Sequence, residues 1–208
     1  MLRTSGFAGR FFAAAQNDDV GGHDDERTVP SRLIAKGAQA MKTLLIVRHA
    51  KTQPDAPHGD HARELTERGH RDAPVIGRYI ASTVGTPDAI DTSDARRAMQ
   101  TAELVAASCD FTDPLTVEPA IYGADTEGLA RIVQQLPDSA DCVVVVGHNP
   151  GMHELIDLLA DSALPMENFP TSGLAWLERD ADRWQDVTPG SCRLRGVTSP
   201  KLLAEGNG

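Results

Sequence analysis

The feature that most constrains the fold is an apolar run at residues 142–146 (CVVVV), which lies between polar segments. A run of this length without polar alternation is typical of a strand buried on both faces of a parallel sheet. Residues 43–47 (TLLIV) form a second run of the same kind. Strands buried on both faces need helices above and below the sheet, so the two runs predict a layered α/β domain.

Strand-like and helix-like segments alternate along the rest of the chain after Met41. Further strands are predicted at residues 88–93, 173–177 and 192–197, and helices at 66–84, 95–108, 126–136 and 152–159. The predicted fold class is therefore α/β, a three-layer αβα sandwich with a mostly parallel central sheet. We assign this domain to residues 41–204, followed by a short tail at 205–208.

Residues 1–40 have a different texture, since Gly, Ala, Asp and Arg mix there without sustained periodicity. We expect a disordered or non-native extension, such as one produced by a start codon called ahead of Met41. The first 16 residues contain arginines and phenylalanines but no acidic residue, which also suggests an organelle transit peptide.

The formal net charge of −10 disfavours a nucleic-acid partner, because binding to a phosphate backbone requires a basic surface. Any site for a phosphorylated substrate must then be locally positive. Cys109, Cys142 and Cys192 are far apart and form no Cys-x-x-Cys pair, which indicates reduced thiols in a cytoplasmic protein. No apolar run approaches the 18 or so residues that span a bilayer, so no membrane association is expected.

Two of the predicted strands are followed directly by histidines. His49 comes after the strand at 43–47, and His148 comes after the strand at 142–146. Ligands of open α/β sheets bind outside the carboxyl ends of the strands, so the two side chains are expected to share one crevice. A lone histidine is more often a hydrogen-bonded structural residue, and the joint placement is what favours a site.

Arginines accompany both of these positions. Arg48 ends an apolar strand, where its guanidinium needs an anionic partner such as phosphate, with a carboxylate pair to Asp91 or Asp94 as the alternative. Arg96 and Arg97 lie in the first turn of a predicted helix, where backbone N–H groups also favour anions. One of these two arginines can point into the crevice and the other into solvent.

The motifs around these residues resemble those of the histidine phosphatase (phosphoglycerate mutase-like) superfamily. Residues 45–52 (LIVRHAKT) are similar to its Arg-His-Gly signature, with Ala50 in place of the usual glycine. Residues 93–101 (SDARRAMQT) resemble its second-arginine motif, and residues 146–151 (VGHNPG) resemble its second-histidine motif. Residues 65–69 (LTERG) and 168–173 (NFPTSG) resemble the small SixA-type phosphohistidine phosphatase branch.

The resemblance implies a metal-independent and cofactor-free phosphatase that forms a phosphohistidine intermediate. It makes His49 the nucleophile and assigns charge stabilisation and substrate binding to Arg48, Arg97 and His148. The substrate implied by the branch is phosphohistidine on a protein. A small phosphomonoester or sugar phosphate is the alternative, and a non-catalytic phosphate-binding module is a third hypothesis. Thr52 and Asn149 are further hydrogen-bond donors to the substrate.

The motifs also offer a candidate for the acid that protonates the leaving group. Glu118 precedes a Tyr-Gly dipeptide in the way of the superfamily's glutamate, but one residue out of register, and a solvated loop carboxylate is an equal alternative. His58, Asp60 and His61 could suggest a metal site, but we expect them to be solvated side chains of a polar loop, with no metal bound. His153 is expected to be structural.

Overall fold

The computed structural model describes residues 40–205, so the predicted extension and residues 206–208 of the predicted tail lie outside the described residues. A six-stranded sheet forms the centre of the described region. The strands are β1 (Met41–Arg48), β2 (Ala89–Thr92), β3 (Thr116–Val117), β4 (Cys142–Gly147), β5 (Leu174–Asp180) and β6 (Arg193–Thr198). The helices are α1 (Glu67–Thr83), α2 (Arg96–Ser108), α3 (Thr126–Gln134), α4 (Gly151–Leu159) and α5 (Pro200–Glu205).

The strand order is β3-β2-β4-β1-β5-β6. The first four strands in this order are parallel, β5 is antiparallel to β1, and β6 is antiparallel to β5. The predicted mostly parallel sheet is confirmed. The two apolar runs that predicted it, now β1 and β4, lie side by side at its centre.

The core lies on both faces of the sheet because successive side chains of a strand point to opposite sides. Leu44 and Ile46 of β1 belong to a buried cluster with α3 and α4, whereas Leu45 and Val47 belong to a second cluster with α1 and α2. The predicted three-layer αβα sandwich is thereby confirmed. Within residues 40–205, no helix is long and apolar enough to cross a membrane.

Helix α1 is anchored to the loop that follows β1. Thr66, the first residue of the helix predicted at 66–84, is its N-cap, since Thr66 Oγ1 accepts a hydrogen bond of 3.2 Å from the Gly69 N–H. The Thr66 N–H in turn donates to the Lys51 carbonyl over 2.9 Å. A side chain at position 69 would collide with the same carbonyl, so Gly69 allows the helix to approach the loop. This contact fixes the chain two residues beyond His49.

Candidate active site

The two histidines predicted from the strand ends lie together. Strands β1 and β4 are parallel neighbours with Arg48 opposite Gly147, so the next residues, His49 and His148, emerge at the same edge. Their ring centroids are 5.1 Å apart, with the ring planes inclined at 54°. The shared crevice expected from the sequence is present.

One contact determines which nitrogen of a neutral His49 carries the proton. Its Nδ1 lies 2.8 Å from the Ala50 carbonyl oxygen, which can only accept a hydrogen bond, so Nδ1 carries the proton. Burial lowers the pKa of His49 to about 4, and the charges of Arg97 and Arg48 contribute to the decrease. At neutral pH the ring is therefore uncharged, and the lone pair is on Nε2. A neutral imidazole held in this tautomer can act as a nucleophile.

His148 is held by a serine at the end of β2. Its Nε2 lies 2.9 Å from Ser93 Oγ, and the same Oγ accepts from the Ala95 N–H at 3.3 Å. The Ser93 hydroxyl can donate to Nε2, and in that tautomer the imidazole proton is on Nδ1. That Nδ1 is buried without a partner in the described residues. Burial, followed by the charges of His49 and Arg97, lowers the pKa of His148 to about 3.

Arg48 does not form the carboxylate pair with Asp91 or Asp94 that the sequence left open. Its Nη1 donates to the Phe169 carbonyl in the loop before β5, and its Nε is buried without a partner in the described residues. The backbone of Arg48 is tied to the same loop, since its N–H donates to the Gly173 carbonyl over 3.0 Å. The segment 168–173 thus positions Arg48 and leaves the Nε–H of its guanidinium available to a ligand.

Arg97 is the buried member of the arginine pair, whereas Arg96 points outward to Glu64, as expected from the sequence. The guanidinium of Arg97 is occupied by Asp60, because Nη2 lies 2.9 Å from the carboxylate and Nη1 donates to the Asp60 carbonyl over 2.7 Å. Its Nε is buried without a partner in the described residues.

Asp60 lies in a loop with 51% of its side chain exposed, as expected, but it also has partners that the sequence did not predict. Its carboxylate accepts from Arg97, from Arg63 over 2.8 Å and from the Tyr122 hydroxyl over 2.9 Å. The hydrogen bond from Arg63, followed by the one from Tyr122, holds the pKa of Asp60 well below its usual range. His61 also has a partner, since its Nε2 lies 3.0 Å from an Asp94 oxygen. Sequence reasoning missed Arg63 and Tyr122 entirely.

The remaining predicted residues have varied placements. Thr52 is buried and its hydroxyl accepts from Arg63 over 2.6 Å, which leaves its own proton available. The Asn149 amide nitrogen donates to Asn168 Oδ1 and to the Phe169 carbonyl, each over 3.0 Å, so in this structure Asn149 holds that loop. The Glu118 carboxylate caps its own short helix through the Ala120 N–H, and it lines neither cavity described below.

Two further expectations concern metals and a structural histidine. Within residues 40–205, no group of three or more His, Cys, Asp or Glu side chains is arranged to hold a metal ion. His153 lies 3.3 Å from Asp157 one turn along α4, as a structural role requires.

The structure accommodates Ala50 at the position where the family motif usually has glycine. The residue is completely buried in a small cluster with Leu65 and Ala73, and it is not among the described residues with positive φ. Its N–H donates to Thr101 Oγ1 over 3.0 Å, and that hydroxyl donates to the Arg97 carbonyl over 2.7 Å. Ala50 therefore links the loop after β1 to the helix that carries Arg97.

Two adjacent cavities open beside the histidines. The basic pocket, of about 470 Å³, is lined by His49 and by four cationic side chains, those of Arg48, Lys51, Arg63 and Arg97. The acidic pocket, of about 480 Å³, is lined by Asp125 and Glu154 together with apolar and aromatic groups. Both cavities are bordered by Asp60, Arg97, His148 and Asn149. His49 and most of the positive charge thus lie on one side of a boundary that contains Arg97 and His148.

Comparison with known proteins agrees with this geometry. The profile described as histidine phosphatase superfamily (branch 1) matches residues 44–126, which include His49 and Arg97. An uncharacterized protein of Mycobacterium tuberculosis is 34% identical over 163 residues, covering 74% of this chain and all of the relative. The chain belongs to the histidine phosphatase superfamily.

Two more distant likenesses extend the comparison. An uncharacterized chloroplastic protein of Arabidopsis thaliana is 26% identical over 83% of this chain and 87% of its own length. The solved structure of the protein histidine phosphatase SixA complexed with tungstate matches with a TM-score of 0.67, covering 77% of this chain and 99% of that chain. At 24% identity, this likeness is one of fold. Other solved structures of SixA proteins match the chain as well.

Proposed function

We propose that this superfamily member is a metal-independent phosphatase that transfers a phosphoryl group to His49 and then to water, acting on phosphohistidine carried by a protein. The observation that carries the proposal is the hydrogen bond from His49 Nδ1 to the Ala50 carbonyl, which leaves a neutral Nε2 free in a pocket lined by four cations. A pocket that only binds phosphate does not require such a nucleophile.

The first step follows from this geometry. His49 Nε2 attacks phosphorus, the bond from phosphorus to the leaving nitrogen or oxygen breaks, and a phosphohistidine forms on the enzyme. The guanidinium groups of Arg48 and Arg97 neutralise charge on the equatorial oxygens, and the Nδ1–H of His148 supplies a neutral donor. The buried, unpartnered Nε–H groups of both arginines and Nδ1 of His148 suit this role, because buried polar groups in proteins are normally paired.

The second step returns the enzyme to its starting state. Water attacks phosphorus, the bond to Nε2 breaks, and inorganic phosphate leaves with both protons of the water molecule. His49 is then again neutral, with its proton on Nδ1. Charge on the phosphoryl oxygens is stabilised by arginine in both steps, so no metal ion is needed.

A phosphorylated imidazole suits a site in which Glu118 is not available as an acid. When the second ring nitrogen of the substrate is protonated, the imidazole departs as a neutral molecule without further proton transfer. The tungstate bound by the structurally similar SixA is an oxyanion like phosphate, which supports a phosphorylated substrate for this protein. The free thiols of all three cysteines are consistent with action in a reducing compartment such as the cytoplasm.

A small phosphomonoester or sugar phosphate is the second candidate, favoured by the acidic pocket, whose volume of about 480 Å³ can enclose a small molecule. The segment that carries Asp60 also reaches Arg97 and Tyr122, so it covers part of the site.

Trapping of the phosphorylated enzyme tests the proposal directly. The protein is incubated with a phosphohistidine-carrying protein or with p-nitrophenyl phosphate, quenched rapidly and digested for mass spectrometry. We expect acid-labile phosphate on His49, turnover that survives EDTA, and inhibition by vanadate. The same protocol applied to His153→Asn controls for general loss of a histidine. Absence of label with both substrates, or activity that requires a divalent ion, would contradict the proposal.

A further inference from the structure

The acidic pocket differs in charge from the basic pocket that it adjoins. Besides the four bordering residues, its charged groups are the carboxylates of Asp125 and Glu154, and no lysine or arginine is added. The basic pocket adds Arg48, Lys51 and Arg63 and no carboxylate. A substrate that spans both cavities therefore meets positive charge at one end and negative charge at the other.

The two carboxylates are held in place by local structure. Asp125 caps α3, with Oδ1 accepting from the Gly128 N–H over 2.7 Å. Glu154 lies in the first turn of α4, and its Oε2 accepts from the Thr126 hydroxyl over 2.7 Å. Each carboxylate uses one oxygen in these hydrogen bonds. The second oxygen of each, Oδ2 or Oε1, has no hydrogen bond within the described residues and can accept one from a ligand.

The other walls of the pocket suit a flat or partly apolar group. Tyr122 stands edge-on to His148, with ring centroids 5.4 Å apart and the planes at 88°. Ile121 and Leu129 supply apolar surface beside it, and Pro150 lies at the start of α4. Tyr122 is also fixed through its hydroxyl to Asp60. The pocket thus combines an oriented aromatic ring with anchored acceptors.

We propose that the acidic pocket receives the leaving group and selects substrates whose leaving group is cationic or neutral over those that carry a second anion. The inference rests on the proposed function, because it assumes phosphoryl transfer in the basic pocket. His148 and Arg97 border both cavities, so a phosphoryl group held by them lies next to the cavity that Tyr122 and Glu154 line, and that cavity has room for the leaving group.

The selection has a chemical consequence for phosphohistidine. A protonated imidazole carries a positive charge that the free oxygens of Asp125 and Glu154 can stabilise through its second N–H. This is the protonation state from which the phosphorus–nitrogen bond breaks to release neutral imidazole. A leaving group that ends in a carboxylate or phosphate would instead be repelled by the same two side chains.

Two phosphomonoesters of similar length test the inference, because the ends remote from the phosphate have opposite charge. Phosphoethanolamine ends in an ammonium group and phosphoglycolate ends in a carboxylate. We expect kcat/KM for phosphoethanolamine to exceed that for phosphoglycolate by at least roughly tenfold. Dissociation constants for both compounds, measured by calorimetry on the full chain, are expected to show the same order. Equal values, or preference for phosphoglycolate, would overturn the inference.

Variants locate the effect in this pocket. Glu154→Gln keeps an oxygen for Thr126 and Asp125→Asn keeps the helix cap, so each is expected to reduce the preference about three- to tenfold without unfolding the protein. Glu127→Gln is the matched control, because Glu127 lies on α3 outside the pocket and pairs with Arg131. An unchanged preference in both pocket variants would overturn the inference. The ratio of the dissociation constants of the two phosphomonoesters tests the inference even if neither compound is hydrolysed. The absence of label on His49 contradicts only the proposed function.

Discussion

His49 and His148 lie 5.1 Å apart, measured between ring centroids, although 98 residues separate them in the chain. The parallel pairing of β1 and β4 produces this proximity, and a different contact fixes each ring: Ala50 holds Nδ1 of His49, and Ser93 holds Nε2 of His148. Two residues of the same type are therefore held differently, His49 with a free lone pair on Nε2 and His148 with a buried Nδ1 that has no partner in the described residues.

Substitutions test the proposed roles of the two histidines, His49 as nucleophile and His148 as hydrogen-bond donor. His49→Ala is expected to abolish both turnover and labelling, because no neighbouring group can replace the nucleophile. His148→Ala is expected to leave an enzyme that still labels at position 49 but is slower by on the order of 10²–10³, the usual effect of removing one preorganised donor. Rapid-quench labelling measures both. Label on His148 in the unmodified protein would show that the two tasks are reversed.

The arginine pair offers an internal comparison. Arg97→Lys is expected to lower kcat/KM by on the order of 10²-fold, since an ammonium cannot reproduce the planar fork. Arg96→Ala is expected to change kcat/KM by no more than about twofold, because its exposed ion pair with Glu64 contributes little. Steady-state kinetics with p-nitrophenyl phosphate distinguishes them. A larger loss from Arg96→Ala would mean that the wrong arginine has been placed in the site.

The lowered pKa values predict how stability depends on pH. His49 has a pKa of about 4 in the folded protein and about 6.5 when unfolded. Above pH 6.5 both states are neutral, but between pH 6.5 and 4 only the unfolded chain binds the proton, so the free energy of unfolding decreases as pH falls through this window. Urea titrations at pH 7 and pH 5 measure the decrease. His49→Gln should reduce it, and an equal slope in both proteins would contradict the assignment.

The centre of the fold was predictable because burial on both faces of a sheet requires continuous apolar runs, which can be recognised in the sequence without knowledge of contacts. The same reasoning placed His49 and His148 together, since parallel strands present their carboxyl ends at one edge. Helix α1 was predictable from Thr66, whose cap depends on residues within one turn. These features depend on local sequence or on a general rule of sheet topology.

The role of Asp60 could not be predicted in this way. Its partners Arg63, Arg97 and Tyr122 lie 3, 37 and 62 residues away in the sequence, and the polar loop around it looks solvated by composition. Glu118 is the reverse case, a residue that the sequence suggested for the site and that the structure places outside it. The motif before Tyr122 suggested an acid, but the Glu118 carboxylate accepts from the Ala120 N–H in its own turn. Polar contacts of loops depend on tertiary approach, which spacing in the sequence does not encode.

Gly77 is predicted to set the distance between α1 and α2. A Cβ at this position would lie 2.5 Å from Ser108 Cβ and 2.6 Å from the Val105 carbonyl oxygen, and neither atom is at the end of a flexible side chain. Gly77→Ala is therefore expected to lower the free energy of unfolding by about 1–3 kcal/mol, as overpacking does. Urea denaturation measures the change. Gly196→Ala is the control, since no atom lies within 4 Å of its added Cβ, and equal loss in both variants would contradict the prediction.

Asp60 is expected to compete with the phosphoryl group for Arg97. Its carboxylate lies 2.9 Å from Nη2 of that arginine, and the low pKa of Asp60 keeps it negatively charged at neutral pH. A bound phosphate or vanadate must share Arg97 with this charge or displace it. Asp60→Asn removes the charge but keeps an oxygen that can accept from Arg63 or Tyr122. The variant is therefore expected to bind vanadate more tightly, by about three- to tenfold, as measured by inhibition of p-nitrophenyl phosphate hydrolysis.

Two further variants determine whether Asp60 competes with the ligand or only holds Arg97 in position. Asp60→Ala removes the acceptor as well as the charge, so the loop and Arg97 lose a partner and the gain in vanadate affinity should be smaller than in Asp60→Asn. Glu64→Gln removes an exposed carboxylate from the same segment and should leave vanadate affinity unchanged, because Glu64 contacts Arg96 rather than Arg97. If Asp60→Asn and Asp60→Ala both weaken vanadate binding, then Asp60 holds Arg97 in its binding position and does not compete with the ligand.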